Sequence, residues 1–106
     1  MFVLGIVAVA MFHVVLRQAG PEFDQALPLE EQTLFAEHAA YMNGLVEKGR
    51  IVLGGLLPNS RVALAMEAES EDAIEAIWAL DPWAYSHLLL ESIEPWDIRL
   101  DGRERS

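Results

Sequence analysis

With 106 residues the chain has single-domain length, enough to bury about two-thirds of the surface that its unfolded form exposes. Against 17 Asp and Glu stand 7 Lys and Arg, a formal net charge of -10. Basic residues gather only near the C-terminal end, at Arg99, Arg103 and Arg105, so a nucleic-acid partner, which needs a basic face, is not expected. There is no cysteine, which rules out disulfides, thiolate metal sites and cysteine nucleophiles, and fits a reducing, cytoplasmic setting.

The chain opens on MFVLGIVAVA and continues through Met11, Phe12, His13, Val14, Val15 and Leu16, an apolar run shorter than the roughly 20 residues of a membrane helix. No membrane span is expected. Ala8-Val9-Ala10 has the form of a signal-peptidase site, but the stretch lacks a cationic beginning. Its β-branched content argues for a strand. Residues 1–10 are read as an apolar extension or the start of strand one, with Met11 an alternative start, residues 11–100 as the domain, and 101–106 as a charged tail.

A polar stretch punctuated by Gly20, Pro21 and Pro28 reads as a loop, and helix one is expected over residues 29–48. Leu34, Phe35, His38, Tyr41, Met42, Leu45 and Val46 recur at helical spacing on one face, with Glu30, Glu31, Glu37, Glu47 and Lys48 left for solvent. Gly49 suits the position just past a helix. Residues 51–57 form an apolar run of strand length, Pro58-Asn59-Ser60 a turn, and residues 61–66 the returning strand of a hairpin. Ser70 is placed to cap a second helix, with Glu71 and Asp72 in its first turn, and Pro82 ends that helix by Leu80. The last strand is expected over residues 87–94, with continuation through Trp96 open.

The order strand, helix, strand, strand, helix, strand most simply gives an α+β, ferredoxin-like βαββαβ domain. Its four-stranded antiparallel sheet carries both helices on one face. Strand three alternates Val62, Leu64 and Met66 with Ala63 and Ala65, where a solvated second face would bring polar residues. A second copy of the chain, sheet against sheet, is the expected cover. The topology puts the loops at 17–28, 58–60 and 81–86 at one end, and there His38 and Asp81 are expected to approach, with Arg17, Asn59, Trp83 and His87 near them.

His38 with Tyr41, Met42 and Leu45, then Gly49, Gly55-Leu56-Leu57, Asp81-Pro82-Trp83 and Pro95-Trp96 resemble the YCII-related (YciI-like) family over about residues 12–96. The resemblance implies a dimeric α/β barrel of ferredoxin-like subunits and an active site whose polar pair is His38 and Asp81. One branch of that family is similar in activity to dehydrochlorinases acting on chlorinated hydroxyquinols. The chain departs from the pattern at Leu56-Leu57-Pro58-Asn59, where the family carries Gly-Pro-Leu and then an acidic residue. It departs again near Tyr85-Ser86-His87, where the family carries a glycine.

Chemically, a histidine held by a carboxylate is the minimum for general acid–base work. His38 either works in that way, with Asp81 as its partner, or fills the inner face of helix one, and Asp81 either orients it or braces its own turn. Arg17 is a candidate anchor for an anionic substrate or a surface strand end. Trp83 and Trp96 either wall a pocket or serve packing. His13, His38 and His87 match no ligand spacing, so no metal is expected, and no phosphate loop or axial-ligand pattern calls for a cofactor. Two functions stand as expectations. One is an enzyme moving a proton on, or eliminating from, a small cyclic or aromatic molecule; the other is a non-catalytic module binding a small ligand or a partner on the same scaffold.

Overall fold

The computed structural model describes residues 8–103. Strands β1 (Ala10–Arg17), β2 (Ile51–Leu57), β3 (Arg61–Ala68) and β4 (Leu89–Pro95) form one sheet in the order β2-β3-β1-β4, and every neighbouring pair is antiparallel. Helices α1 (Phe35–Glu47) and α2 (Glu71–Ala79) link β1 to β2 and β3 to β4. This is the expected α+β order, with a topology compatible with a ferredoxin-like fold. Residues 1–7 of the expected N-terminal extension lie outside the described residues; Ala10 already belongs to β1.

The core occupies one face of the sheet. Phe12, Val14 and Leu16 of β1 and Leu64, Met66 and Ala68 of β3 are buried with Leu45 of α1 and Ile74 and Trp78 of α2, so both helices cover the same side, as period-two alternation requires. Two register shifts adapt the edges. One, between Ile51 and Leu53, leaves Val52 as the extra residue of β2; the other, between Val15 and Leu16, skips Glu91 of β4. The second shift brings both Leu90 and Ile93 against the core, which strict alternation would not do.

Helix α2 follows its sequence signals closely. Ser70 accepts the backbone N–H of Ala73 at 3.1 Å, Glu71 and Asp72 occupy the first turn, and Leu80 closes the helix. Helix one does not. Its expected first turns are a separate 3-10 turn, Leu29–Glu31, and α1 begins at Phe35 after a break in which Leu34 takes a left-handed backbone with φ 62. The break has tertiary causes. Buried Gln32 turns back into the preceding loop, donating to the carbonyls of Asp24 and Leu27 and accepting the Asp24 N–H at 2.9 Å. Leu34 and Val46, expected on the inner face, are exposed, whereas Leu45 is buried. The last strand begins at Leu89 rather than at residue 87, and β3 runs on to Ala68.

The loops expected at one end do meet. Gln18 donates its N–H to the carbonyl of Ser60 at 2.8 Å, and Gly20 donates to the carbonyl of His87 at 3.0 Å. Gly20 is buried, and a Cβ there would fall 2.4 Å from the Ser86 carbonyl oxygen, so only glycine lets these two loops close. The other sheet face carries Met11, Leu53 and Ala65, with Trp96, Ile98 and Leu100 of the C-terminal segment beside them; Leu53 is 67% exposed.

Candidate functional site

Asp81 lies just past α2, where the chain turns ahead of Pro82. Its backbone N–H continues the helix by donating to Trp78, and its carbonyl accepts from Ala84. Its carboxylate is 2% exposed and holds two partners: Oδ1 accepts the Trp83 N–H at 2.9 Å, and both oxygens stand 2.9 Å from Nδ1 of His38. The first contact is an aspartate turn bracing the chain, the second orients an imidazole. One carboxylate thus bonds both its own turn and the His38 ring.

A carboxylate only accepts, so Nδ1 of His38 carries the proton and Nε2 is left as the basic nitrogen of the neutral ring. Among the described residues Nε2 has no hydrogen-bond partner. The ring lies parallel to the Trp83 indole, with centroids 4.0 Å apart and planes 6° from parallel, and this fixes the plane in which Nε2 presents its lone pair.

Trp83 is 1% exposed, and its indole N–H donates to the Thr33 carbonyl at 2.8 Å. His87 also stacks on it, at 4.9 Å and 12°. His87 is wholly buried and belongs to the turn rather than to the last strand. Its Nε2 lies 2.9 Å from the Thr33 hydroxyl and its Nδ1 2.8 Å from the Ser86 hydroxyl. With both nitrogens occupied and no exposure, His87 supports Trp83 from within. The break before α1 gives this arrangement its polar partners, since a continuous helix would commit the Thr33 carbonyl to its own ladder.

His38 lines a pocket of about 130 Å³. Leu16 and Val62 of the sheet, Leu29, Phe35 and Met42 around α1, and Leu56, Trp83 and Leu88 supply its apolar wall, and Gln18 is the other polar residue. Gln18 directly follows β1, two positions after Leu16, and lines the pocket with Leu16 and Val62. Behind the dyad, Tyr41 donates its hydroxyl to the Ile77 carbonyl. Burial, and secondarily the Asp81 charge, push its phenol above the ordinary 10.0.

Of the residues expected to gather here, His38, Asp81, Trp83 and His87 come together. Arg17 does not line the pocket: it falls on the sheet side opposite Leu16, more than half exposed, with Glu91 at 3.7 Å. Asn59 does not line it either; it is exposed at the hairpin turn with φ 66. Sequence reasoning does not single out Thr33, Gly20 or Gln18. For Gln18 a signal existed, because the alternation that puts Leu16 in the core puts Gln18 on the same side. For Thr33 none did, since its part depends on the break in helix one. Two wider grooves, about 250 and 270 Å³, lie on the other face of the sheet. His13, on one of them, stands edge-on to Trp96 with Glu94 at 3.8 Å, an exposed arrangement with nothing to fix its ring as Asp81 fixes that of His38.

No protein-family model, curated protein or solved structure matches the chain.

Proposed function

We propose that this chain is a small acid–base enzyme in which His38 takes a proton from a small cyclic or aromatic molecule, the step that opens either an isomerising proton transfer or an elimination. Asp81 is its partner, holding the Nδ1–H tautomer and stabilising the imidazolium that forms. The observation that carries the reading is the pairing of a fixed Nδ1 with an Nε2 that has no described partner, on a ring lining an apolar pocket. The resemblance of His38 and Asp81-Pro82-Trp83 to the YciI-like pattern supports the same two residues.

Nitrogen NMR of the imidazole tests it. The wild type is expected to hold His38 as the Nδ1–H tautomer near neutral pH, and Asp81→Asn to lose that preference, because an amide can present either a donor or an acceptor to Nδ1. An Nε2–H tautomer in the wild type, or a tautomer indifferent to Asp81→Asn, rejects the reading.

The open sheet face belongs to the same proposal: a second copy covers it, giving the barrel of two ferredoxin-like sheets. Exposed Leu53 and Trp96 beside Met11 and Ala65 support this. Sedimentation at micromolar concentration is expected to give a dimer; a stable monomer refutes it.

A further inference from the structure

The pocket beside His38 has a composition that restricts what can enter it. Among the described residues no Lys, Arg, Asp or Glu lines it. The carboxylate behind His38 is 2% exposed and already occupied by the imidazole and the Trp83 N–H. A charged ligand group set against this wall would give up hydration without gaining a counter-charge, which is unfavourable. The volume, about 130 Å³, is close to the roughly 150 Å³ apolar cavity that accommodates benzene. That is the scale of a single small ring.

Gln18 supplies what an apolar wall lacks. Both of its backbone groups are committed, the N–H to the Ser60 carbonyl at 2.8 Å and the carbonyl to the Gln25 side chain at 2.7 Å, so the residue is fixed in place at the strand end. Its side-chain amide has no hydrogen-bond partner among the described residues. Among the described residues the lining thus includes two polar side chains, and they are complementary: the imidazole of His38 with its basic Nε2, and an amide that can donate through Nε2–H or accept through Oε1. A ligand carrying a carbonyl would accept from the Gln18 amide while a neighbouring acidic C–H faces His38.

We infer that the His38 pocket selects an uncharged, single-ring carbonyl compound, and that Gln18 is the residue that orients it. This rests on the acid–base reading for the chemistry after binding, and names the substrate class for that same site.

Binding is read by NMR titration and calorimetry with cyclohexanone, methylcyclohexane, cyclohexanecarboxylate and cyclohexylammonium, each against the wild type, Gln18→Leu and Gln18→Glu. In the wild type cyclohexanone is expected to shift the Leu29, Phe35, Leu88 and Gln18 signals, with the two ions at least about tenfold weaker. Gln18→Leu is expected to weaken cyclohexanone roughly fivefold, the worth of one net hydrogen bond, and to leave methylcyclohexane unchanged. Gln18→Glu, which has no N–H to give near neutral pH, weakens cyclohexanone as well and provides the comparison should the leucine variant fail to fold.

Equal affinity for either ion, cyclohexanone binding indifferent to both substitutions, or no binding of cyclohexanone at millimolar concentration overturns the inference. The tautomer of His38 in the ligand-free protein is measured separately. A wrong ligand class with the Nδ1–H tautomer intact therefore condemns the inference alone, and a wrong tautomer condemns the acid–base reading even where cyclohexanone binds.

Discussion

Trp83 donates its indole N–H to the backbone carbonyl of Thr33, 2.8 Å away and fifty residues earlier in the chain. Trp78, the other buried tryptophan of the core, has no partner for its indole N–H among the described residues. Both side chains are almost fully buried, and only one has its polar handle satisfied. Trp83→Phe is expected to cost about 1 kcal/mol more than Trp78→Phe, the net worth of one hydrogen bond. Urea unfolding of the two variants measures the difference, and equal losses would count against a net contribution from the Thr33 contact.

Gly20 closes the loop after β1 onto the backbone of Ser86 and His87. Because the Cβ of an alanine would meet the Ser86 carbonyl at 2.4 Å, Gly20→Ala is expected to destabilise by about 1–3 kcal/mol through overpacking. The same substitution should shift the His87 ring signals, as the two loops must separate to admit the methyl. Gly55→Ala is the comparison, because a Cβ at Gly55 meets nothing within 4 Å.

Tyr41 is expected to contribute to a loss of stability at alkaline pH. Its phenol is raised above the ordinary 10.0 in the folded chain, so the folded state holds that proton more tightly than the unfolded one. The resulting stabilisation is complete below pH 10.0 and is lost as pH rises from there through the folded value. Denaturant melts between about pH 9 and 12 should show stability falling, and Tyr41→Phe, which has no proton to lose, should show a shallower fall. An unchanged slope would remove Tyr41 as the cause.

The cap of α2 is a local interaction and should act as one. Ser70→Ala removes the acceptor of the Ala73 N–H and is expected to cost about 1 kcal/mol. The His38 signals should stay where they are, since Ser70 stands at the end of α2 remote from Asp81. Movement of those signals would mean that the two ends of α2 are coupled.

Much of the scaffold was legible because its signals are local. Ser70, Glu71 and Asp72 announce the start of α2, and Pro82 its end; Val62, Leu64 and Met66 mark the inner face of β3. The approach of His38 to Asp81 was legible one step further on, because the order of elements brings the start of helix one and the turn after helix two to one end. Three things were not. The break before α1 comes from Gln32 bonding to Asp24 and Leu27, which no periodicity reveals. The irregular inner face of β4, with Leu90 and Ile93 on one side, comes from a register shift against β1. His87 sits in an apolar context like that of a strand residue, and only the packing of Ser86 and Thr33 around it shows that it belongs to the turn.

The contacts that shape the pocket join segments far apart in sequence: Thr33 to Trp83 and His87, His38 to Asp81, Gly20 to His87. Each crosses the same seam, between the stretch after β1 and the stretch after α2, and none lies within the sheet. A fluctuation that parts this seam would dismantle the pocket while the strands stay paired. The site's lifetime is then set by an opening smaller than global unfolding. Under native-state hydrogen exchange the amides of Gly20 and Glu22, which bond across the seam to His87 and Ser86, would exchange ahead of those of β1 and β3, as one group. Substitutions at seam positions outside the lining, such as Gly20, Thr33 and His87, would change how long the pocket persists without replacing a residue that lines it.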